Sequence, residues 1–141
     1  MSWKHYATLV VAGIPKAQPR TKATRFGNRA RVYTPGTADG WKSCVMFAAA
    51  SISGRLVAAP FSVTIQFRLP RPKAHKRDTL VVTKPDIDNL IKSTTDSLTD
   101  CGVWGDDSQV AAVAAIKIYA GGTMAPGATI TLEVWEEEKI L

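Results

Sequence analysis

At 141 residues the chain has the length of one ordinary domain, enough for a single hydrophobic core and too little for two. An apolar share of 45% excludes a disordered chain, and no apolar run reaches membrane-spanning length. The formal net charge of +6 is unevenly spread: residues 1–92 hold 16 of the 18 Lys and Arg and 4 of the 12 acids, so the first two thirds are built to meet a polyanion.

In chain order, His5 to Gly13 (HYATLVVAG) reads as a first strand, and the start MSWKHYATLVVAG as strand rather than secretory leader; a cytoplasmic protein is expected. PKAQPRTKATRFGNRAR then reads as a basic loop carrying Lys16, Arg20, Lys22, Arg25, Arg29 and Arg31. ARVYTPG suggests a short strand closed by Pro35 and Gly36. From Thr37 the spacing turns helical, with Trp41, Val45, Ala48 and Ile52 on one face and Gly54 as the stop. Phe61, Val63, Ile65, Phe67 and Leu69 alternate with polar residues, the signature of a half-buried strand. A second basic stretch, RLPRPKAHKRDTLVVTK, holds Arg68, Arg71, Lys73, Lys76, Arg77 and Lys84. Next, Ile87, Leu90 or Ile91, Thr94 and Leu98 carry an apolar face through about three helical turns that end near Gly102. Strands over Val110 to Tyr119 and Ala128 to Trp135 follow, then an exposed acidic tail.

These elements predict an α/β (α+β) fold over residues 1–141: a single compact domain with a mixed β-sheet and two main helices, covered largely on one face, with edges or a spare face free for dimerisation. Cys44 and Cys101 lack metal-ligand spacing and are expected as free thiols. The basic clusters read as loops that neutralise phosphates, against the plainer alternative of solvated charge. An anionic membrane surface fits less well, because neither cluster has an amphipathic helical pattern.

The acids that carry chemistry are in KPDIDNLIKSTTDSLTDCGVWGDDSQV, Lys84 to Val110. Pro85 marks the start of the helix, and either Asp86 or Asp88 can serve as N-cap. Capping explains one aspartate and not both. Held about 4 Å apart at an effective dielectric near 20, two carboxylates repel by roughly 4 kcal/mol, so a close pair calls for a cation, a shared proton or full solvation. Asp107, after the helix, offers a third hard oxygen donor. An all-oxygen set favours Mg²⁺ or Mn²⁺ over zinc. Lys92 lies one turn beyond Asp88, suited to hold a phosphate or to pair with Asp88 or Asp96. Carboxylates, lysine and basic loops together suit metal-assisted phosphodiester hydrolysis.

The ordered pattern Lys84-Pro-Asp86-Ile-Asp88-Asn89-Leu90-Ile-Lys92, Asp96-Ser-Leu98, Gly102-Val-Trp104-Gly-Asp106-Asp107-Ser-Gln109-Val110 resembles the RusA family of Holliday junction resolvases of bacteria, phages and prophages. Weaker likeness extends to GIPKAQPR, VYTPGT and the alternating strand. The resemblance implies a homodimer that binds four-way junction DNA and makes paired symmetric nicks in recombination and repair, with Mg²⁺ or Mn²⁺ and no small-molecule cofactor. It marks Asp86, Asp88 and Asp107 as catalytic metal ligands and Lys92 as a catalytic lysine, with Asp106 and Asn89 as accessories. Lys16, Arg20, Lys22, Arg25, Arg29, Arg31, Arg71, Lys73, Lys76, Arg77 and Lys84 are the expected DNA contacts. Trp104 either fills the core, the favoured reading, or stacks on a base. Two alternatives stay open at this point: a flap or fork endonuclease of the same chemistry, and a non-catalytic junction-binding protein.

Overall fold

A computed structural model of the chain describes residues 1–19, 22–27, 29–33 and 36–137. The alternating run forms β4 (Phe61–Leu69), whose Phe61, Val63, Ile65 and Phe67 turn inward and are fully or almost fully buried. Such alternation puts every second side chain on one face, so β4 takes a central place in the sheet. On one side it pairs antiparallel with β6 (Gly127–Glu136), which pairs antiparallel with β1 (Ser2–Ala12) at the edge. On the other side it pairs in parallel with β5 (Val110–Tyr119), giving a mixed four-stranded sheet in the order β1-β6-β4-β5. Gly127 is required where β6 meets β1, because a Cβ there would run into the carbonyl of Val11.

Two helices cover one face of the sheet. α1 (Asp39–Ala48) continues as a single 3₁₀ turn, Ala50–Ile52, and buries Trp41, Val45, Ala49 and Ile52. The third inward position is Ala49 where helical spacing pointed to Ala48, which is half-buried. α2 (Ile87–Asp100) links the parallel pair β4 and β5, a connection that must cross over the sheet. Its inward face mixes Leu90 and Leu98 with Ser93, Thr94 and Ser97, all buried. Those hydroxyls are satisfied within the helix: Thr94 Oγ1 donates to Leu90 O at 2.9 Å and Ser97 Oγ to Ser93 O at 2.8 Å. Thr94 Oγ1 also accepts from the Trp41 indole at 3.1 Å, joining the two helices. α2 ends in the left-handed residue Gly102 (φ 74°), whose N–H donates to Thr99 O; a Cβ there would meet the Gly54 backbone at 3.2 Å.

The first basic segment holds a second small sheet. β2 (Lys22–Phe26) and β3 (Arg29–Tyr33) pair as an antiparallel hairpin with Gly27 at φ 55° in its turn. Residues 22–26 were expected as loop; basic and small residues there give no apolar face, so nothing in their pattern announces a strand. Cys44 and Cys101 are free.

Candidate active site

α2 begins where β4 and β5 end. The segment after Pro70 returns along β5, with Val81 N–H donating to Lys117 O and Tyr119 N–H to Thr79 O, and then leads through Pro85 into the helix. Lys117 fixes that approach: its ammonium donates to the carbonyls of Thr83 at 2.8 Å and Pro85 at 2.7 Å. From the other side, the irregular stretch after β1 meets the same helix end, with Gln18 N–H donating to Asn89 O and Ser93 Oγ to Lys16 O at 2.6 Å.

Asp86 sits at the N-cap position of α2, yet its side chain makes no capping hydrogen bond. Its carboxylate instead receives the Lys84 ammonium at 2.8 Å. The Lys84 side chain is 84% exposed, so solvent screens the pair and it holds Asp86 only weakly. Asp88 is exposed in the first turn, on the positive end of the helix. One turn on, exposed Lys92 approaches Asp96 at 3.4 Å.

Asp106 and Asp107 occupy the opposite end of α2. Asp106 caps the 3₁₀ turn Asp107–Gln109 through a reciprocal capping box with Gln109. The Ser108 hydroxyl, 2.6 Å from its carboxylate, is the main influence lowering the Asp106 pKa below its ordinary value, aided by Asp107. Gln109 anchors the turn: Oε1 accepts from the N–H groups of Gly105 and Asp106, and Nε2 donates to the carbonyls of Val57 and Ala59. Trp104 is fully buried against Phe61, ring centroids 5.0 Å apart, and its indole donates to Thr99 at 2.8 Å; it belongs to the core.

One chain therefore does not gather the three aspartates. α2 is 14 residues long, about 21 Å, and β5 covers a similar distance from Asp107 at its start to Lys117 and Asp86 at its end. Among the described residues no three His, Cys, Asp or Glu side chains lie close enough together to hold a metal ion.

The basic residues divide as well. Lys16, Arg25, Arg29, Lys73, Lys76, Arg77 and Lys84 are exposed; Lys22 and Arg31 belong to β2 and β3, and Arg20 lies outside the described residues. Arg71 is committed to its own chain, donating to the carbonyls of Ala120, His75 and Asp78 and lying 5.4 Å from the centre of the Tyr119 ring. Arg68, 7% exposed, likewise binds Ala125 O, Gln66 and Thr129. Lys117, Gln109 and Arg71 are positioning residues that sequence reading missed or assigned otherwise; only the Gln109 position, inside the quoted motif, carried a signal.

An acidic helix start thus lies at the carboxyl ends of two parallel strands, with Lys16, Lys84 and Lys92 exposed on the adjoining segments. Residues 12–133 match the family described as Endodeoxyribonuclease RusA, and the chain belongs to this family of Holliday junction resolvase nucleases. It is also similar to the uncharacterized protein YqaN of Bacillus subtilis (strain 168), with 27% identity over 122 residues that span 78% of this chain and 85% of YqaN. No helix among the described residues is long and apolar enough to cross a membrane.

Proposed function

We propose that the chain acts as a homodimer that binds four-way DNA junctions and nicks two opposed strands with Mg²⁺ or Mn²⁺, working in the cytoplasm. The observation that carries this reading is the acidic pair at the start of α2. Asp86 stands at the N-cap with its carboxylate on Lys84 and no side-chain capping bond, and Asp88 stands exposed two residues on.

Two carboxylates are few for a hard cation that takes about six oxygen ligands. A second copy supplies the third. β5 is the last of the four strands; residues 79–81 cover its outer edge at Lys117–Tyr119, and from Val110 to Ile116 (VAAVAAI) it carries no charge, with Val113 and Ile116 each 44% exposed. An uncharged edge without Lys or Pro is a template for pairing with another strand. Antiparallel pairing of two β5 edges about a two-fold axis brings the start of one β5 beside the end of the other. Asp107 of one subunit then faces Asp86 and Asp88 of its partner, twice over, as paired nicks require.

The donor set is entirely oxygen, which fits Mg²⁺ or Mn²⁺. Such an ion, when bound, stabilises charge on the phosphoryl oxygens and makes water a better nucleophile. Asp86, Asp88 and Asp107 hold it. Lys84 neutralises part of the acidic charge until DNA arrives. Lys92, tethered only loosely to Asp96, turns to the scissile phosphate and offsets its growing negative charge. The exposed cations of the hairpin and of the 73–77 loop neutralise flanking phosphates.

The test is cleavage of an end-labelled four-way junction with and without Mg²⁺, beside a linear duplex and a flap, using Asp88→Asn as control. Symmetric nicks that need metal and vanish in the variant support the reading. Preferred cutting of the flap selects a branched-DNA endonuclease, and tight binding with no cutting selects a junction-binding protein.

A further inference from the structure

A cavity of about 430 Å³ opens beside the start of α2, in the size range of sites that enclose a small ligand. Its walls come from the ends of three strands and the approach to the helix: Pro15 and Ala17 after β1, Leu69 at the end of β4 with Pro70 after it, Tyr119 at the end of β5, and Pro85 immediately before Asp86. Resting on the nuclease reading above, we propose that this cavity receives one nucleobase, unstacked from the strand that is cut.

The walls are apolar and held open. Pro15, Pro70, Pro72 and Pro85 have fixed φ angles, so little freedom is lost on keeping the shape. Lys117 pins Thr83 and Pro85 from below, and Arg71 pins the outer loop through three carbonyls. Two further lining residues, Lys16 and Lys84, are cationic and exposed. An apolar slot lined in part by two exposed lysines, one of them reaching Asp86 at 2.8 Å, matches a flat ring tethered to phosphates; a purely apolar guest has no use for the lysines, and a duplex is far too wide to enter. Pro85 adjoins Asp86, so the guest sits one residue from the acidic pair. His75 stacks over the Tyr119 ring with centroids 5.5 Å apart, and Arg71 also lies on that ring, so the base packs against prolines and lysine stems instead of stacking on tyrosine.

Both lysines are donors only, which favours bases that offer acceptors, such as the guanine O6 and N7 pair, over the adenine amino edge. Extruding a base costs its stacking and pairing, least where stacking is already interrupted, as at a branch point. A base captured here fixes which phosphate reaches Asp86 and Asp88, and so gives the nuclease its sequence preference.

The experiment places 2-aminopurine singly at each nucleotide around the centre of a four-way junction and reads its fluorescence with protein bound in the absence of metal. A severalfold rise at one position with the wild-type chain, lost in Ala17→Phe while the junction still binds, is the expected result. Thr83→Trp fills the same cavity from another wall and serves if Ala17→Phe does not fold. Quenched fluorescence at every position in the bound junction, or a rise that persists in a folded cavity-filling variant, overturns the proposal. Failure of the wild-type chain to bind any junction overturns the nuclease reading as well, and is distinguished by the absence of a complex.

Discussion

Lys117 donates to the Pro85 carbonyl at 2.7 Å, tying edge strand β5 to the residue that precedes Asp86. With the second bond to Thr83, this is a charge-assisted clamp on the start of α2. Lys117→Met keeps the stem and removes both donors. The expected outcome is a loss of about 1–3 kcal/mol in urea unfolding and a raised Mg²⁺ midpoint for nicking. A change in stability with an unmoved Mg²⁺ midpoint restricts Lys117 to a structural role.

Asp86→Asn separates chemistry from capping. Asn is as good an N-cap residue as Asp, and Asp86 makes no side-chain capping bond, so stability should stay within about 0.5 kcal/mol of the wild type. Nicking should fall by about 10²-fold or more, the scale of losing one group that stabilises the transition state. Thermal denaturation beside single-turnover cleavage reads both effects. Full activity in this variant returns Asp86 to a bystander of helix geometry.

Arg71 and Arg77 lie on one loop and should behave differently toward salt. Arg71 is spent on three carbonyls, so Arg71→Ala should destabilise the loop and leave the salt dependence of junction binding unchanged. Arg77 is exposed, and Arg77→Ala should lower the slope of log affinity against log salt by about 1.8, the loss of one phosphate contact from each subunit. Binding titrations at several salt concentrations decide between them.

Much of the fold was legible because its signals are local. The alternation in β4 and the helical spacing from Ile87 to Leu98 report burial directly, and the structure places β4 at Phe61–Leu69 and β5 at Val110–Tyr119 as expected. The hairpin of β2 and β3 was half missed because residues 22–26 have no apolar face to betray a strand. Buried Ser93 and Ser97 look polar in sequence, and only the donation of their hydroxyls to helix carbonyls explains their place in the core. Spacing named Asp86, Asp88 and Asp107, but not that a crossover helix sets Asp107 apart from the other two. That separation belongs to topology, and Lys117 and Arg71 gain their roles only when distant segments meet.

Asp106 provides a pH signature. The Ser108 hydroxyl, helped by Asp107, favours the charged carboxylate, so the folded pKa lies below the ordinary 3.8. A depressed carboxylate contributes fully above 3.8 and loses its contribution as pH falls through the folded value. The capping box should therefore stay intact through the neutral range and open only in acid. Amide chemical shifts of Ser108 and Gln109, followed from pH 7 downward in metal-free protein, should move only below about 4. A transition near pH 6 contradicts this assignment.

The central claim is that each site draws Asp86 and Asp88 from one subunit and Asp107 from the other, and subunit mixing tests it most directly. Asp88→Asn and Asp107→Asn chains, each inactive alone, are mixed, allowed to exchange and assayed on a labelled junction with Mg²⁺. A shared site leaves one intact centre in every mixed dimer, so nicking should return to about a quarter of the wild-type level, as single cuts. An inactive mixture, with exchange demonstrated and the wild-type chain cutting normally, contradicts the account.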